Sequence, residues 1–385
     1  MVVLTFASWH RQAPPQDPSK QKLPKPRVLD SGIFWQRDPS TGELKALAKR
    51  NPPNEPGAPA APAAATINST TEMVSVTCMV STSDGAPVPG LARADFRVYD
   101  DGREQKIAYF DASTQPASVA IVIDASPSVL RDSDEMKSAA DALIDALAPL
   151  DQAAIVDFAA HTYLQLPFSD VRELLRRAVA RINVRELFGD TGGSNIYEAV
   201  YLTAHELFPG RTGRKAIVLL TDGQDSGLGL TLDPASATPS PANPNRLTFD
   251  DLSRLFSSQD IQVFAVSTEN RPKIMTAAWL ASHAGQTLVT PAARESHIPP
   301  YTLYLAELVR RAGGQLYFLR EAPTLEDTFR QIAQKIRAEY TLGYYPQSDP
   351  NASPRAGWRR LGVETPGEPN VSISHRAAYY LPASN

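Results

Sequence analysis

Val119-Ala120-Ile121-Val122-Ile123-Asp124-Ala125-Ser126-Pro127-Ser128 is the stretch on which the fold turns. A short unbroken apolar run, rich in β-branched side chains, suits a strand buried on both faces, as in a parallel sheet covered by helices on either side. Working outward, Ala216-Ile217-Val218-Leu219-Leu220 repeats the pattern, and Ala153 to Phe158, Ile261 to Val266 and Leu316 to Leu319 supply further strands. Between them, Met136 to Leu150, Val171 to Ile182 and Ile196 to Leu207 carry apolar residues at helical spacing. This alternation over residues 117–339 predicts an α/β unit with a doubly wound, mostly parallel sheet. Residues 227–248, crowded with Pro, Ser, Thr and Asn, read as an inserted surface loop.

The flanks have a different texture. Val74, Val76, Cys78 and Val80 alternate with polar residues, Phe96, Val98 and Tyr99 form a second strand candidate, and Asp101-Gly102 marks a hairpin turn before Gln105 to Phe110. After Glu339, residues 340–345, Arg359 to Glu364 and Val371 to Tyr380 read as three more strands. Segments 72–112 and 340–385 each hold too few strands to bury a core alone. We expect them to pack together as one small β-sandwich-like unit with the α/β unit inserted between them. Residues 1–71 show no periodicity and include a Pro/Ala-rich stretch from Asn51 to Thr66, so they read as a poorly ordered segment and linker.

Three short motifs carry chemistry. Asp124, Ser126 and Ser128 stand at the end of the first buried strand, where open α/β sheets bind ligands. Thr191-Gly192-Gly193-Ser194-Asn195 precedes a helix, its glycines allowing close approach to a neighbouring loop. Thr221-Asp222-Gly223 follows the next buried strand. Carboxylate and hydroxyl oxygens together suit a hard cation such as Mg²⁺.

In this order and setting, the three motifs resemble the metal-ion-dependent adhesion site of von Willebrand factor A-type domains, over residues 117 to about 339. The resemblance implies direct metal ligation by Ser126, Ser128 and Ser194, with Asp124 and Asp222 acting directly or through water. It implies Mg²⁺ (or Mn²⁺ or Ca²⁺) as cofactor, and a protein partner presenting Asp or Glu to the cation. Ser194 stands where the family usually has threonine; the hydroxyl is kept and the methyl lost, and Thr191 is a fallback ligand. The flanks resemble bacterial VWFA-related proteins of unassigned function, through Pro87-Val88-Pro89-Gly90-Leu91, Asp95 to Gly102 and Tyr340 to Tyr345.

Each motif also has a structural explanation: a strand-end cap for Asp124, Ser126 and Ser128, a helix N-cap for Ser194 and a turn for Asp222. A scaffold with a structural or degenerate site, its contacts made by the flanks, is the rival function. The chain has 385 residues, 42% hydrophobic and 21% charged, with net charge -4 and no basic block, which argues against a nucleic-acid partner. No apolar run is long enough to span a membrane. Cys78, the single cysteine, is expected to be a small buried hydrophobe. Asp190-Thr191-Gly192 echoes a protease triplet but has no second copy, and the scattered histidines make no metal-spaced pair, so an enzyme is not expected. The apolar start, Met1 to Trp9, lacks a basic n-region and its apolar stretch is short; it reads equally as the tail of a secretion signal or as no signal. Export to the periplasm or cell exterior is expected, with the cytoplasm as alternative.

Overall fold

The computed structural model describes residues 21–29, 34–38, 42–47, 73–82, 86–112, 115–184, 194–225, 247–276, 279, 298–320, 325–346, 357–368 and 370–381. In chain order these form β1 (Arg27–Val28), β2 (Phe34–Arg37), β3 (Leu44–Leu47), β4 (Val74–Thr82), β5 (Arg97–Asp100), β6 (Arg103–Gln105), β7 (Ile107–Asp111) and β8 (Ala117–Asp124). There follow α1 (Ser133–Ala146), β9 (Gln152–Phe158), β10 (Thr162–Ser169), α2 (Arg172–Ala180), α3 (Ile196–Leu207), β11 (Arg214–Thr221), α4 (Phe249–Gln259) and β12 (Gln262–Ser267). The last are α5 (Pro300–Ala312), β13 (Leu316–Phe318), α6 (Leu325–Arg337), β14 (Glu339–Tyr344), β15 (Gly357–Glu364), β16 (Val371–His375) and β17 (Ala378–Leu381).

β8 is buried along its whole length, as its composition requires. It lies at the centre of a seven-stranded sheet of order β1-β10-β9-β8-β11-β12-β13. β9, β8, β11, β12 and β13 run parallel, and β10 and β1 are antiparallel at one edge. Val119, Ile121 and Ile123 pack on one face with α1, α2 and α6. Ala120 and Val122 pack on the other with α3, α4 and α5. This is the expected doubly wound α/β sheet. Chain order runs away from β8 in both directions, so the carboxyl end of β8 is the switch point at which such sheets open a crevice.

The flanking segments pair with each other strand by strand. One four-stranded sheet has the order β16-β4-β14-β7 and the other β17-β15-β5-β6, all antiparallel. Val76, Cys78 and Val80, with Leu342 and Tyr344 of the same sheet, share the core with Val98, Leu361 and Val363 of the other. Asp100, 3% exposed, accepts hydrogen bonds there from the hydroxyls of Tyr344 (3.0 Å) and Tyr379 (2.8 Å), so one carboxylate ties the two sheets together. Cys78 is fully buried, and burial pushes its thiol well above the ordinary range, consistent with an inert apolar role.

Four features differ from the sequence expectation. Gln105 to Phe110 divides at Lys106 into β6 and β7, and Val371 to Tyr380 divides at Arg376 and Ala377 into β16 and β17. In both places the chain leaves one sheet for the edge of the other, a sandwich corner that alternation alone does not reveal. β10, which carries Pro167, was not expected at all; it is an antiparallel strand near the sheet edge, where proline is tolerated. Finally, part of the supposedly unordered N-terminal segment is regular. β1 pairs with β10, Leu29 is fully buried against the α3 side of the sheet, and the β2–β3 hairpin is pinned by two Arg37–Asp251 hydrogen bonds of 2.8 Å. Docking on a finished edge and helix orders these short pieces, so no local periodicity is needed.

α5 ends in Gly313-Gly314, wedged between β12 and the sandwich. A Cβ on Gly314 would sit 2.0 Å from the carbonyl oxygen of Val263, and Ser374 Oγ donates to the carbonyls of Gly313 and Gly314 at 3.2 Å. Because the obstruction is backbone, Gly314→Ala is expected to cost about 1–3 kcal/mol or more. The shift of the urea midpoint measures it.

Candidate metal centre

Asp124 ends β8 at the switch point, 3% exposed. Its Oδ1 accepts from the Ser126 amide at 2.9 Å and its Oδ2 from the Thr221 hydroxyl at 2.7 Å. The carboxylate is thus bonded both to its own loop and to the end of β11. Ser126 and Ser128 lie with their hydroxyl oxygens 2.9 Å apart, at the start of a single turn of 3₁₀ helix, Pro127–Val129. Asp222 follows β11, 2% exposed, with Oδ1 accepting from the Gln224 amide at 2.8 Å, and the nearby Ser128 hydroxyl favours its charged form. Gly223 makes the turn with φ +85°, and a Cβ there would meet Leu305 and the ring of Tyr301.

The third loop arrives from the side of β9. The Asn195 amide donates to the Ala159 carbonyl (3.0 Å), next to Phe158, whose carbonyl accepts from the Ala125 amide (2.7 Å). Ser194, 2% exposed, and the 124–128 loop therefore hang on adjacent peptides. The Ile196 amide donates to Asp225 at 3.3 Å, which fastens the same loop to the Asp222 turn.

Asp124, Ser126 and Ser128 are joined by direct hydrogen bonds, Asp222 follows Thr221, whose hydroxyl bonds to Asp124, and Ser194 stands on a loop bonded to both neighbouring segments. Thr191 and the Asp190-Thr191-Gly192 triplet lie outside the described residues. The capping explanations fit less well than the turn explanation. The Ser126 side chain makes no capping bond, the N-cap of α3 is Asn195 rather than Ser194, and the N-cap of α1 is Asp132, well past the motif. One oxygen of Asp222 does serve a turn.

Burial pushes Asp124 up to about 6, against the opposing pull of the Ser126 and Thr221 hydrogen bonds, and the carboxylate of Asp222 pushes it further. Burial likewise raises Asp222, with the Gln224 amide and Ser128 hydroxyl opposing. Two desolvated like charges beside hydroxyl oxygens are costly as they stand and favour an incoming cation. No group of three or more His, Cys, Asp or Glu gathers among the described residues. A cation here would rely on hydroxyl as well as carboxylate oxygen, the donor set a hard divalent ion accepts.

Two residues at this rim, Asp225 and Tyr301, were not singled out from the sequence, and Thr221, quoted in its motif, was given no role. Thr221 holds Asp124, and Asp225 holds the start of α3. Tyr301 packs beside Gly223, its phenol raised by burial first and then by Glu269 and Asp222. Thr221 belongs to a motif already visible and Asp225 follows it; Tyr301 comes from α5 and has no local signal.

Residues 119–224 match the family model of the von Willebrand factor type A domain, and the α/β unit around β8 is a fold of that class. The match to a von Willebrand factor type A domain thus lies within an α/β unit flanked by antiparallel sheets. Its fold is similar to that of an aerotolerance-related membrane protein from Bacteroides fragilis NCTC 9343, at 18% identity over 57% of this chain and 98% of that one, with a TM-score of 0.39. It is also similar to proximal thread matrix protein 1 from the mussel byssus, solved with a zinc-occupied MIDAS motif, at 15% identity over 63% and 50% of the two chains, with a TM-score of 0.39. A von Willebrand factor type A protein from Catenulispora acidiphila shows 14% identity over 82% and 75%, with a TM-score of 0.36. No curated protein matches the chain. No helix among the described residues is long and apolar enough to cross a membrane.

Proposed function

We propose that this protein is a metal-ion-dependent binding module that captures an acidic side chain of a partner protein. The observation that carries this reading is the gathering of Asp124, Ser126, Ser128 and Asp222 at the switch point of the sheet, where Asp124 is bonded to the Ser126 amide and to Thr221 beside Asp222, with two buried carboxylates held above their ordinary range. Ser126, Ser128 and Ser194 are the direct ligands in this proposal, and Asp124 and Asp222 hold the charge. Mg²⁺, or Mn²⁺ or Ca²⁺ in its place, supplies an electrophilic position open to the partner's Asp or Glu. Neutral hydroxyls donated by the protein leave the positive charge for that carboxylate. Thr221 and the Ser126 amide orient Asp124 through hydrogen bonds, so the reading assigns it to holding an ion and not to moving a proton. We assign no catalytic step to the chain.

In the same proposal, segments 72–112 and 340–385 form one supporting unit, the α/β unit is inserted between them, and the protein works outside the cytoplasm. The test begins with calorimetric titration of the full chain with Mg²⁺ and Mn²⁺, for which a saturable heat is expected. An affinity pull-down with Mg²⁺ and then with a chelator should recover a partner only in the first. Absence of any metal heat would remove the proposal; metal binding with chelator-insensitive capture would move the contacts to the flanks.

A further inference from the structure

At the rim opposite Asp124, where the α/β unit meets the sandwich, a buried polar side chain lacks a protein partner. Gln262, the first residue of β12, is 3% exposed, and neither its Oε1 nor its Nε2 has a hydrogen-bond partner among the described residues. The same is true of Nε of Arg376, 8% exposed, at the corner between β16 and β17. Both side chains line one cavity of about 10 Å³, together with Thr77, Asp260, Arg311 and Ala312. The elements that meet there belong to both units: β12 and the end of α4 on one side, β4 and the sandwich corner on the other.

Thr77, Asp260 and the Arg376 Nη atoms at this cavity are bonded. Thr77 Oγ1 donates to Asp260 at 2.7 Å, and Arg376 donates to the Ser75 carbonyl and, at 3.5 Å, to Asp260 Oδ1 and the Ser257 carbonyl. Leaving the Gln262 amide desolvated and unbonded would cost about 1–3 kcal/mol. Native proteins satisfy such groups with a protein atom or an ordered water. The cavity holds about one water-sized probe, and its walls offer the two to four polar partners that a buried water needs. A metal cation would face the Arg376 and Arg311 guanidiniums; an anion would face the Asp260 carboxylate, and Arg311 is already held by Glu307 and Asp250, so a neutral ligand that both donates and accepts fits best.

We propose that Gln262, Asp260 and Arg376 hold a single ordered water that joins the α/β unit to the sandwich. It donates to Gln262 Oε1 and the Asp260 carboxylate and accepts from Gln262 Nε2 or Arg376 Nε. The seam is therefore wet and hydrogen-bonded across rather than sealed by apolar contact. This site is independent of the metal proposal.

The test has two arms on the full chain. A crystal structure resolving waters should show a density peak within about 3.2 Å of the Gln262 amide and of either Arg376 Nε or Asp260. Gln262→Met, of similar volume and without polar atoms, should lower Tm by about 2–4 °C because the water loses its anchor. An empty cavity overturns the proposal. So does a Tm unchanged or raised by the substitution, since deleting an amide that was simply unsatisfied is favourable.

Discussion

Asp124→Asn is expected to abolish or severely weaken Mg²⁺ binding while the protein stays folded. Asparagine keeps the shape of aspartate. Its carbonyl oxygen can still accept from the Ser126 amide, and its amide nitrogen can face the Thr221 hydroxyl, which then accepts instead of donating. The negative charge is gone, and with it the main reason for a cation to enter. Loss of a group that merely orients a metal ligand costs about 10–100-fold in affinity, and removing the buried charge itself should cost at least that. The metal-free variant should not be less stable. Burial places the Asp124 charge at a disadvantage, and Asp222 opposes it further, so the substitution removes a penalty along with a function. Calorimetry reads the affinity and a thermal melt reads the fold. An undiminished Mg²⁺ heat in a folded Asp124→Asn protein would take this carboxylate out of the site.

The elements that could be read from the sequence are those in which local composition and final environment agree. The run 119–123 is apolar because β8 is covered on both faces, and Val76, Cys78 and Val80 alternate because β4 turns one side to the sandwich core. Even β4 is only partly legible: Met79, on its other face, is 2% exposed because that face docks on the α/β unit, and Thr77 is buried with it. Where tertiary contact overrides local pattern, the sequence is silent. Nothing near Arg376 announces that β16 and β17 belong to different sheets, since the corner is set by where the two sheet edges meet. Nothing near Arg37 announces Asp251, its partner in α4. At the site, oxygen-bearing residues at strand ends are visible because a ligand crevice needs polar groups just where buried strands stop. Tyr301 is invisible because it reaches the rim on a helix that starts far away in sequence.

Arg214→Met is expected to be among the most damaging substitutions outside the site. Arg214 opens β11 and Glu339 opens β14, with side chains 5% and 3% exposed. Arg214 Nη1 lies 3.5 Å from Glu339 Oε2 and donates to Thr341 Oγ1 at 2.7 Å, and Nη2 donates to the Glu339 carbonyl at 2.6 Å. One guanidinium thus stitches the central sheet to the sandwich. Burial drives Glu339 well above the ordinary carboxylate range, Arg214 pulls it back, and Asp260 adds to the rise. Without Arg214 the folded-state value climbs further. An acid whose folded value is raised contributes stability only below its unfolded value, and that contribution is lost as pH rises through the folded one. The deficit of Arg214→Met should therefore be smallest near about pH 5, where Glu339 folds in protonated form, and should grow toward about 3–5 kcal/mol in alkaline buffer, where a charge must be buried alone. Urea titrations of wild type and variant across this range measure it. Arg214→Met/Glu339→Met should recover most of the loss, because the stranded carboxylate goes with its partner. A deficit that ignores pH, or persists undiminished in the double variant, would mean that the hydrogen bonds to the Glu339 carbonyl and Thr341 hold the two units together and the charge pair does not.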